Sequence, residues 1–414
     1  MTTPNPRTEF RPDLVVDLAS ELVRIPSANP PGDVTDIATF VRDDMACAGF
    51  EVEWIEPAPG RINLIATVEG GKPGPHIVMN AHLDAFPVEN PESWSFDPYS
   101  GAVENGRLLG RGANDMKAGL AAFVRIYQHH AAKRENMAGK LTLMLVCDEE
   151  TYGPNGSLWL VDKRPDLIGD LLLSTEPSGM GLMRTAERGM IWFRASFAGK
   201  GGHGAHPVRE WNVLERTRKF MDALEEEIRS AKIEAAHFLV PVEEEESYDE
   251  AVGPGAMAHI RKVSANFGRL DAGVKVNMQP ASSVLEVDMR IPPGLVSAEI
   301  LERVKLLAQK FEGDIEVLNF MEPNITPSSH PVVVRFQEEV TRTAGVKPVC
   351  GPAPGCSDAR LWRHRGVPAI GFGPFPHAMG GTDEYCDVKE LEITARVHHA
   401  IVDAILFRGE EGLL

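Results

Sequence analysis

The sequence has few cysteines, few aromatic residues and no long apolar run. Five scattered cysteines among 414 residues, without a Cys-x-x-Cys pair, argue against a disulfide framework or a cysteine zinc site. No apolar run approaches the length that spans a bilayer, which argues against a membrane segment. The first residues, MTTPNPRTEFRPD, lack the basic and then apolar pattern of a secretory signal, so we expect a cytoplasmic protein.

Positive charge is also scarce. The chain has 42 Lys and Arg against 60 Asp and Glu, a formal net charge of -18. Such a surface repels polyanions, which argues against nucleic acid or an anionic membrane as a partner. We interpret the acidic excess as a solubility feature, and the run Glu243 to Glu246 as part of a solvated loop near residues 240–256.

Length and the spacing of apolar residues predict two domains. At 414 residues, the chain exceeds the size at which one hydrophobic core keeps growing. The continuous apolar runs HIVMNA (76–81) and LTLMLVC (141–147) are typical of strands covered on both faces. A helical pattern from Met116 to Ala132 lies between them, as in the βαβ units of an α/β fold.

The middle of the chain has a pattern of its own. IWFRASFAG (191–199) and VLEVDMRI (284–291) have the character of strands, and each is followed by a helical pattern. After this region, the alternation of apolar strands and helices seen in the first part of the chain resumes. We therefore predict one α/β domain formed by residues 1–187 and 319–414, interrupted by an inserted α/β domain of residues 188–318.

Acids and histidines follow the apolar runs of the first predicted domain. In an open α/β sheet, functional groups gather at the carboxyl ends of the strands, so these separate segments are expected to meet at one edge. Four such runs are HIVMNA, LTLMLVC, DLLLST and PAIGFG. The residues that follow them are His82 and Asp84, then Glu149 and Glu150, then Glu176, and finally His377.

A cluster of acids at one sheet edge predicts metal ions. Buried carboxylates repel one another unless cations neutralise them. Nitrogen and oxygen ligands without thiolate suit zinc, cobalt or manganese, and two such ions bridged by a carboxylate form a hydrolytic site. Asp115, in the glycine-rich turn GRGAND, is the best bridging candidate, although it could instead cap the helix that follows.

Two local spacings suggest how this site is organised. Side chains at strand positions i and i+2 point the same way, so Asp84 is expected to accept a hydrogen bond from the far nitrogen of His82. Neighbouring side chains at a strand end point in different directions. One of Glu149 and Glu150 could therefore bind metal while the other faces the attacking water.

The motifs together resemble a known family. The segments AHLDAFP, GRGANDMKAG, CDEETYG, STEP, GKGGHGAHP, VNMQP, DMR and CSDAR resemble the metal-dependent aminoacylase and carboxypeptidase family, in order, from about residue 12 to residue 405. That family includes acetylornithine deacetylase, succinyl-diaminopimelate desuccinylase and glutamate carboxypeptidase. The resemblance implies a metallopeptidase-like catalytic domain with an inserted lid that also forms a homodimer. It further implies hydrolysis of an N-acyl amino acid, a small carboxylate-bearing substrate, by metal-activated water.

The resemblance also implies a role for each matching residue. Two divalent ions per chain, zinc by preference with cobalt or manganese open, would be held by His82 and Glu176, by Glu150 and His377, and by Asp115 between them. Glu149 would be the general base and Asp84 the partner of His82. The substrate-side residues would be His203, which polarises the carbonyl, Asn277 and Arg290, which bind the carboxylate or the carbonyl oxygen, and the stretch from Ser357 to Arg360.

Some alternatives stay open. His377 precedes Glu384 by seven residues, a longer spacing than in relatives, so a loop of different length would have to deliver this ligand. His203 and His206 could form a small site of their own, but two ligands are too few for a closed metal site. A dipeptidase, tripeptidase or carboxypeptidase, a hydrolase of another C–N bond, and a non-catalytic binding protein are the competing functions.

Overall fold

The computed structural model describes residues 8–206, 212–230, 240 and 244–414. Its helices are α1 (Pro12–Val23), α2 (Thr35–Cys47), α3 (Ala118–Ala131), α4 (Ser157–Lys163), α5 (Val213–Ser230), α6 (Glu245–Val252), α7 (Ala256–Ile260), α8 (Ser297–Lys310), α9 (Pro331–Ala344), α10 (Ala359–Arg363) and α11 (Val388–Leu406). None of the helices in these ranges has the length and apolar character needed to cross a bilayer.

The strands are named in chain order. They are β1 (Glu53–Ala58), β2 (Arg61–Glu69), β3 (Lys72–His82), β4 (Val103–Glu104), β5 (Arg107–Leu109), β6 (Ala138–Val146), β7 (Leu171–Ser174), β8 (Leu182–Glu187), β9 (Gly189–Ala198), β10 (Gly202–His203), β11 (Ser264–Ala272), β12 (Met278–Gln279), β13 (Ser282–Ile291), β14 (Gly313–Met321), β15 (Asn324–Ile325), β16 (Val349–Pro352), β17 (Ala369–Gly371) and β18 (Tyr385–Asp387).

The chain forms two compact units. The first consists of residues 1–185, 326–351 and 356–414, and the second of residues 186–325 and 352–355. The predicted insertion, residues 188–318, falls inside the second unit. That this insertion acts as a lid and a dimer surface stays a prediction.

The sheet of the first unit carries the predicted strands. Its order is β1-β2-β6-β3-β7-β17-β8, and β6, β3, β7 and β17 run parallel. Side chains alternate between two cores: Ile77, Met79 and Ala81 of β3 enter one, and Val78 enters the other. Burial on both faces explains the continuous apolar runs of these strands. Each fully buried Leu, Ile or Met side chain contributes roughly 1.5–3 kcal/mol to folding.

The second unit is built on a four-stranded antiparallel sheet of order β11-β13-β9-β14. Its core lies between this sheet and the helices α5 and α8, where Phe193 and Phe197 of β9 pack with Leu285 and Met289 of β13. β9 and β13 match the two strands predicted from the apolar runs of this region. A smaller two-stranded ladder joins β10 to β12.

Two expectations about the second unit were incomplete. The edge strands β11 and β14 were not predicted, because much of each strand is exposed and carries charged residues among its apolar ones. The acidic segment is also not a plain loop, since Glu245–Val252 forms α6. Tyr248 anchors this helix: its side chain is fully buried, and its hydroxyl donates a hydrogen bond to the Pro352 carbonyl at 2.5 Å.

Candidate metal centre

The parallel strands bring the predicted acids together because of their register. His82, the last residue of β3, pairs with Val146, the last residue of β6, and Asn80 of β3 pairs with Ser174 at the end of β7. The segments that carry Glu149 and Glu176 therefore leave the sheet beside His82. Strand register alone accounts for this meeting of residues that are far apart in the chain.

His82 is the centre of the cluster. Its Nε2 atom lies 3.0 Å from Asp115 Oδ1 and 3.6 Å from Glu176 Oε1. Two groups of potential ligand atoms, each within 4.8 Å of one another, share this histidine: one adds Glu149 and Glu176, and the other adds Asp115 and Glu150. All five side chains are buried or half-buried.

Asp84 plays a different part from the one expected. The Nδ1 atom of His82 lies 2.8 Å from the backbone carbonyl oxygen of Asp84, whereas the carboxylate is 3.7 Å away. The expected bond to the carboxylate was therefore wrong, because the chain bends where β3 ends at His82. The Asp84 carboxylate instead accepts hydrogen bonds from the backbone N–H groups of Glu149 and Glu150 and from Asn29 Nδ2.

The orientation of His82 nevertheless suits a metal ligand. Nδ1–H donates to the Asp84 carbonyl, which turns Nε2 towards the carboxylates. A ligating histidine is usually held by such a bond from its other nitrogen. The Asp84 carboxylate contributes by fixing the turn on which Glu149 and Glu150 lie.

A second buried network holds Asp115. Glu384 accepts hydrogen bonds from the backbone N–H groups of Asn114 and Asp115, at 3.0 and 3.3 Å, and pairs with Arg111. Asp115 has non-helical backbone angles within the turn Ala113–Lys117, and it makes no cap to α3. The alternative role of Asp115 as a helix cap is therefore not seen.

Burial and like charges dominate the electrostatics. Burial, together with the neighbouring Glu176, raises the pKa of Glu149 well above its usual value, and burial with Asp115 does the same for Glu150. Burial and Asp115 also raise the pKa of Glu176 to about 7. Burial opposes protonation of His82, but its hydrogen bond to Asp115 and the surrounding acids raise the pKa overall. Among the described residues, the acids of this cluster therefore disfavour one another's charged forms.

The donor set fits divalent cations. Glu149 Oε1 and Glu150 Oε1 are buried and have no hydrogen-bond partner among the described residues. A buried polar atom without a partner carries an energetic penalty, which a cation would remove. Imidazole nitrogen and carboxylate oxygens, without sulfur, are ligands suited to zinc, cobalt or manganese.

The remaining predicted residues of the first unit do not belong to these two groups. Neither group found among the described residues contains His377, whose Nδ1 is 3.0 Å from the Tyr385 hydroxyl and whose ring stacks on Tyr385. Its role as a ligand stays a prediction. Ser357 and Arg360 are buried, and Arg360 donates to the Ser357 carbonyl at 2.6 Å.

The other predicted substrate residues belong to the second unit. His203 and Asn277 are exposed, and the carbonyl of Asn277 accepts a hydrogen bond from the N–H of Gly204. The rings of His203 and His206 are 5.7 Å apart. Arg290 is half-buried and forms a two-point ion pair with Asp288. Their action on a substrate stays a prediction.

Sequence reasoning missed buried residues that contact the acids of the site. Arg184 donates to Glu176 Oε2 at 3.0 Å, and Asn29 donates to Asp84 at 2.9 Å. Asp358, which belongs to the predicted stretch from Ser357 to Arg360, is buried beside Arg360, and its negative charge raises the pKa of Glu149 further. For Arg184 a signal was available: a lone arginine lies within LMRTAE, a strand in which every residue is buried.

Comparisons with known proteins identify the family of this chain. Residues 78–404 match the model of Peptidase family M20/M25/M40. A succinyl-diaminopimelate desuccinylase from Methylorubrum extorquens is 28% identical over 409 residues, covering 94% of this chain and 97% of the relative. A second, from Halorhodospira halophila, is 26% identical over 400 residues and covers 94% of this chain and 98% of the relative.

Solved structures share the fold. An M20 family metallo-carboxypeptidase from Sulfolobus solfataricus has a TM-score of 0.75 at 15% identity, covering 94% of this chain and 98% of that one. A Bacillus subtilis protein described as a dinuclear metal binding peptidase from the M20 family has a TM-score of 0.65 at 14% identity, covering 94% and 97%. Since the family model spans most of the sequence, the chain belongs to peptidase family M20/M25/M40 and is a hydrolytic enzyme that acts on amide bonds.

Proposed function

We propose that this enzyme hydrolyses the amide bond of an N-acyl amino acid, with two divalent cations at the acid cluster and Glu149 as the general base. The observation that carries the proposal is the convergence of one histidine and four carboxylates in two overlapping ligand groups. The desuccinylase names of the relatives support an acyl group that itself carries a carboxylate.

In this proposal, the residues form two ligand sets. His82 and Glu176 would hold one cation, Glu150 and His377 the other, and Asp115 would bridge them. Zinc fits this nitrogen and oxygen donor set, as do cobalt and manganese. When bound, the cations supply Lewis-acid chemistry: they polarise the amide carbonyl and lower the pKa of water.

The protein's own groups then position the reactants and move the proton. Glu149 Oε1 is a buried oxygen for which the described part of the chain offers no hydrogen-bond partner. It accepts a proton from the attacking water and returns it to the leaving nitrogen. Asp84 keeps Glu149 in place through the backbone N–H of that residue. In this proposal His203 stabilises the carbonyl oxygen as it becomes negative, and Arg290 or Asn277 binds the substrate carboxylate.

The second unit would act as a lid and as the surface of a homodimer, and the enzyme would work in the cytoplasm. Its substrate is a small molecule that carries a carboxylate. Sedimentation of the purified protein tests the dimer separately from the chemistry. A monomer at micromolar concentration would contradict this part of the proposal.

The function is tested with a panel of substrates and defined metals. Metal-free protein is loaded with zinc, cobalt or manganese and assayed with succinyl, acetyl and formyl amino acids alongside dipeptides and tripeptides. We expect about two bound cations per chain and the highest kcat/KM for an N-acyl amino acid. Preference for peptides would make the enzyme a peptidase instead, and full activity after chelation would contradict the metal-dependent reaction.

A further inference from the structure

Arg184 lies in an unusual place for a charged residue. It is in the middle of β8, where every side chain from Leu182 to Glu187 is buried. Only 5% of its surface is exposed. A buried guanidinium is costly to desolvate unless its donors are paired, so its partners indicate why it is there.

Those partners belong to the segment that carries a candidate ligand. Arg184 Nη1 donates to Glu176 Oε2 at 3.0 Å and to the carbonyl oxygen of Pro177 at 3.3 Å. One nitrogen thus holds both the side chain of Glu176 and the backbone of the next residue. This double contact fixes the orientation of the carboxylate as well as its distance.

The contact divides the two oxygens of Glu176 between different partners. Oε2 accepts the hydrogen bond from Arg184, while Oε1 lies 3.6 Å from His82 Nε2, on the side of the ligand group. A carboxylate with one oxygen engaged in a charge-assisted hydrogen bond presents the other as a single ligand atom.

The backbone of Arg184 is also held in place. Its carbonyl oxygen accepts a hydrogen bond from Arg363 Nη2 at 2.8 Å. On the neighbouring strand, the position opposite is Gly371, where an added Cβ atom would lie only 3.1 Å from the Cβ atom of Arg184. The arginine therefore projects from a rigid support towards Glu176.

We propose that Arg184 is a positioning residue for the metal centre, which holds Glu176 as a ligand through one oxygen. The inference rests on the proposed metal site and adds a requirement to it. A positive charge near a cation weakens cation binding by repulsion, whereas a correctly oriented ligand strengthens it. Orientation dominates here, because the Arg184 charge is already paired with Glu176, and the two-point contact fixes where Oε1 points.

The test compares Arg184→Met and Arg184→Lys with the wild-type protein. Metal affinity is measured by competition with a chelator, and the melting temperature is measured on metal-free protein. For Arg184→Met, we expect the affinity for the cation that His82 and Glu176 would hold to fall roughly ten- to hundredfold, as for other residues that hold metal ligands in place. X-ray absorption should also show more ligand oxygens at the cation, because Oε2 becomes available.

Arg184→Lys covers the case in which the methionine variant does not fold. Lysine keeps the charge, but its ammonium group is a point donor without the planar fork of arginine. We expect it to fold and to bind metal with an affinity between those of wild type and Arg184→Met. Wild-type metal affinity in Arg184→Lys would overturn the inference if the methionine variant cannot be measured.

Arg125→Met is the matched control for the loss of a buried arginine. Arg125 is 7% exposed and pairs with Asp44 at 2.7 Å, in the contact between α2 and α3. Breaking this pair should lower the melting temperature and leave the metal affinity unchanged. If Arg184→Met behaves in the same way, Arg184 is only structural and the inference fails. If the wild-type protein binds no metal at all, the proposed function fails instead.

Discussion

Two buried polar clusters in the first unit differ in how their charges are balanced. Between α2 and α3, Asp44 accepts hydrogen bonds from Arg125 at 2.7 Å and from Gln128 at 2.9 Å, and Arg125 also donates to Gln128. At the carboxyl end of the sheet, carboxylates cluster around His82, and one buried oxygen each of Glu149 and Glu150 lacks a hydrogen-bond partner within the described ranges.

The difference separates structural polar groups from functional ones. A buried acid with a cation and an amide as partners is a satisfied part of the core. A group of buried acids that raise one another's pKa indicates a candidate site for binding a cation or a substrate. Burial of ionisable groups alone would not have distinguished the two clusters.

The largest effect is expected at Glu149, in the acid cluster at the carboxyl end of the sheet. Replacing Glu149 with Gln should lower kcat by roughly 10²- to 10⁴-fold, because the attacking water loses its proton acceptor. The measurement is steady-state turnover with the preferred substrate, together with metal analysis of the same sample. Metal content should stay near the wild-type value.

The same variant has a second readout in the absence of metal. The substituted glutamine carries no charge, so repulsion among the buried acids decreases, and metal-free Glu149→Gln should melt at a higher temperature than metal-free wild type. A lower melting temperature, or loss of bound metal, would place Glu149 in the ligand shell or in the structural framework.

A smaller effect is expected at His398, a buried group on the helix side of the same unit. His398 packs against Phe123 and Phe336, and its Nε2–H donates to the Phe372 carbonyl at 2.8 Å. Burial lowers the pKa of His398 to about 4. The folded protein therefore keeps this residue neutral at pH values where the unfolded chain, with a pKa near 6.5, binds a proton.

The free energy of unfolding should therefore decrease as the pH falls. The contribution of His398 is fully present above about pH 6.5 and is lost as the pH falls towards 4, which amounts to about 3 kcal/mol. The test measures the free energy of unfolding between pH 6.5 and pH 4 with a chelator present. This free energy should decrease by about 3 kcal/mol more for wild type than for His398→Gln. Parallel curves for the two proteins would show that His398 is not kept neutral by burial.

The smallest effect is expected in the second unit. Asn277→Ala should raise KM about tenfold if its side chain donates one hydrogen bond to the substrate. Stability should change by no more than about 0.5 kcal/mol, because the residue is exposed and its backbone carbonyl keeps the bond from Gly204. Wild-type KM would remove Asn277 from the list of substrate residues.

The core strands and the acids that follow them were predictable, whereas the contacts between these acids were not. β3 and β6 are apolar on both faces, so their type and position followed from composition. The edge strand β14 was missed, because its exposed positions give no clear apolar pattern. The expected bond between His82 and the Asp84 carboxylate obeyed the two-residue rule for strands, but β3 ends at His82 and the rule stops applying there.

The sequence by itself therefore determined the buried apolar strands and which acids follow the ends of parallel strands, because apolar runs and strand geometry are local properties. Tertiary structure decided which atom faces which. Glu384 reaches the backbone of Asp115 across 269 residues of chain, and Arg184 on β8 selects one oxygen of Glu176. Such bonds depend on distances and angles between separately packed segments, and no pattern within a single segment specifies them.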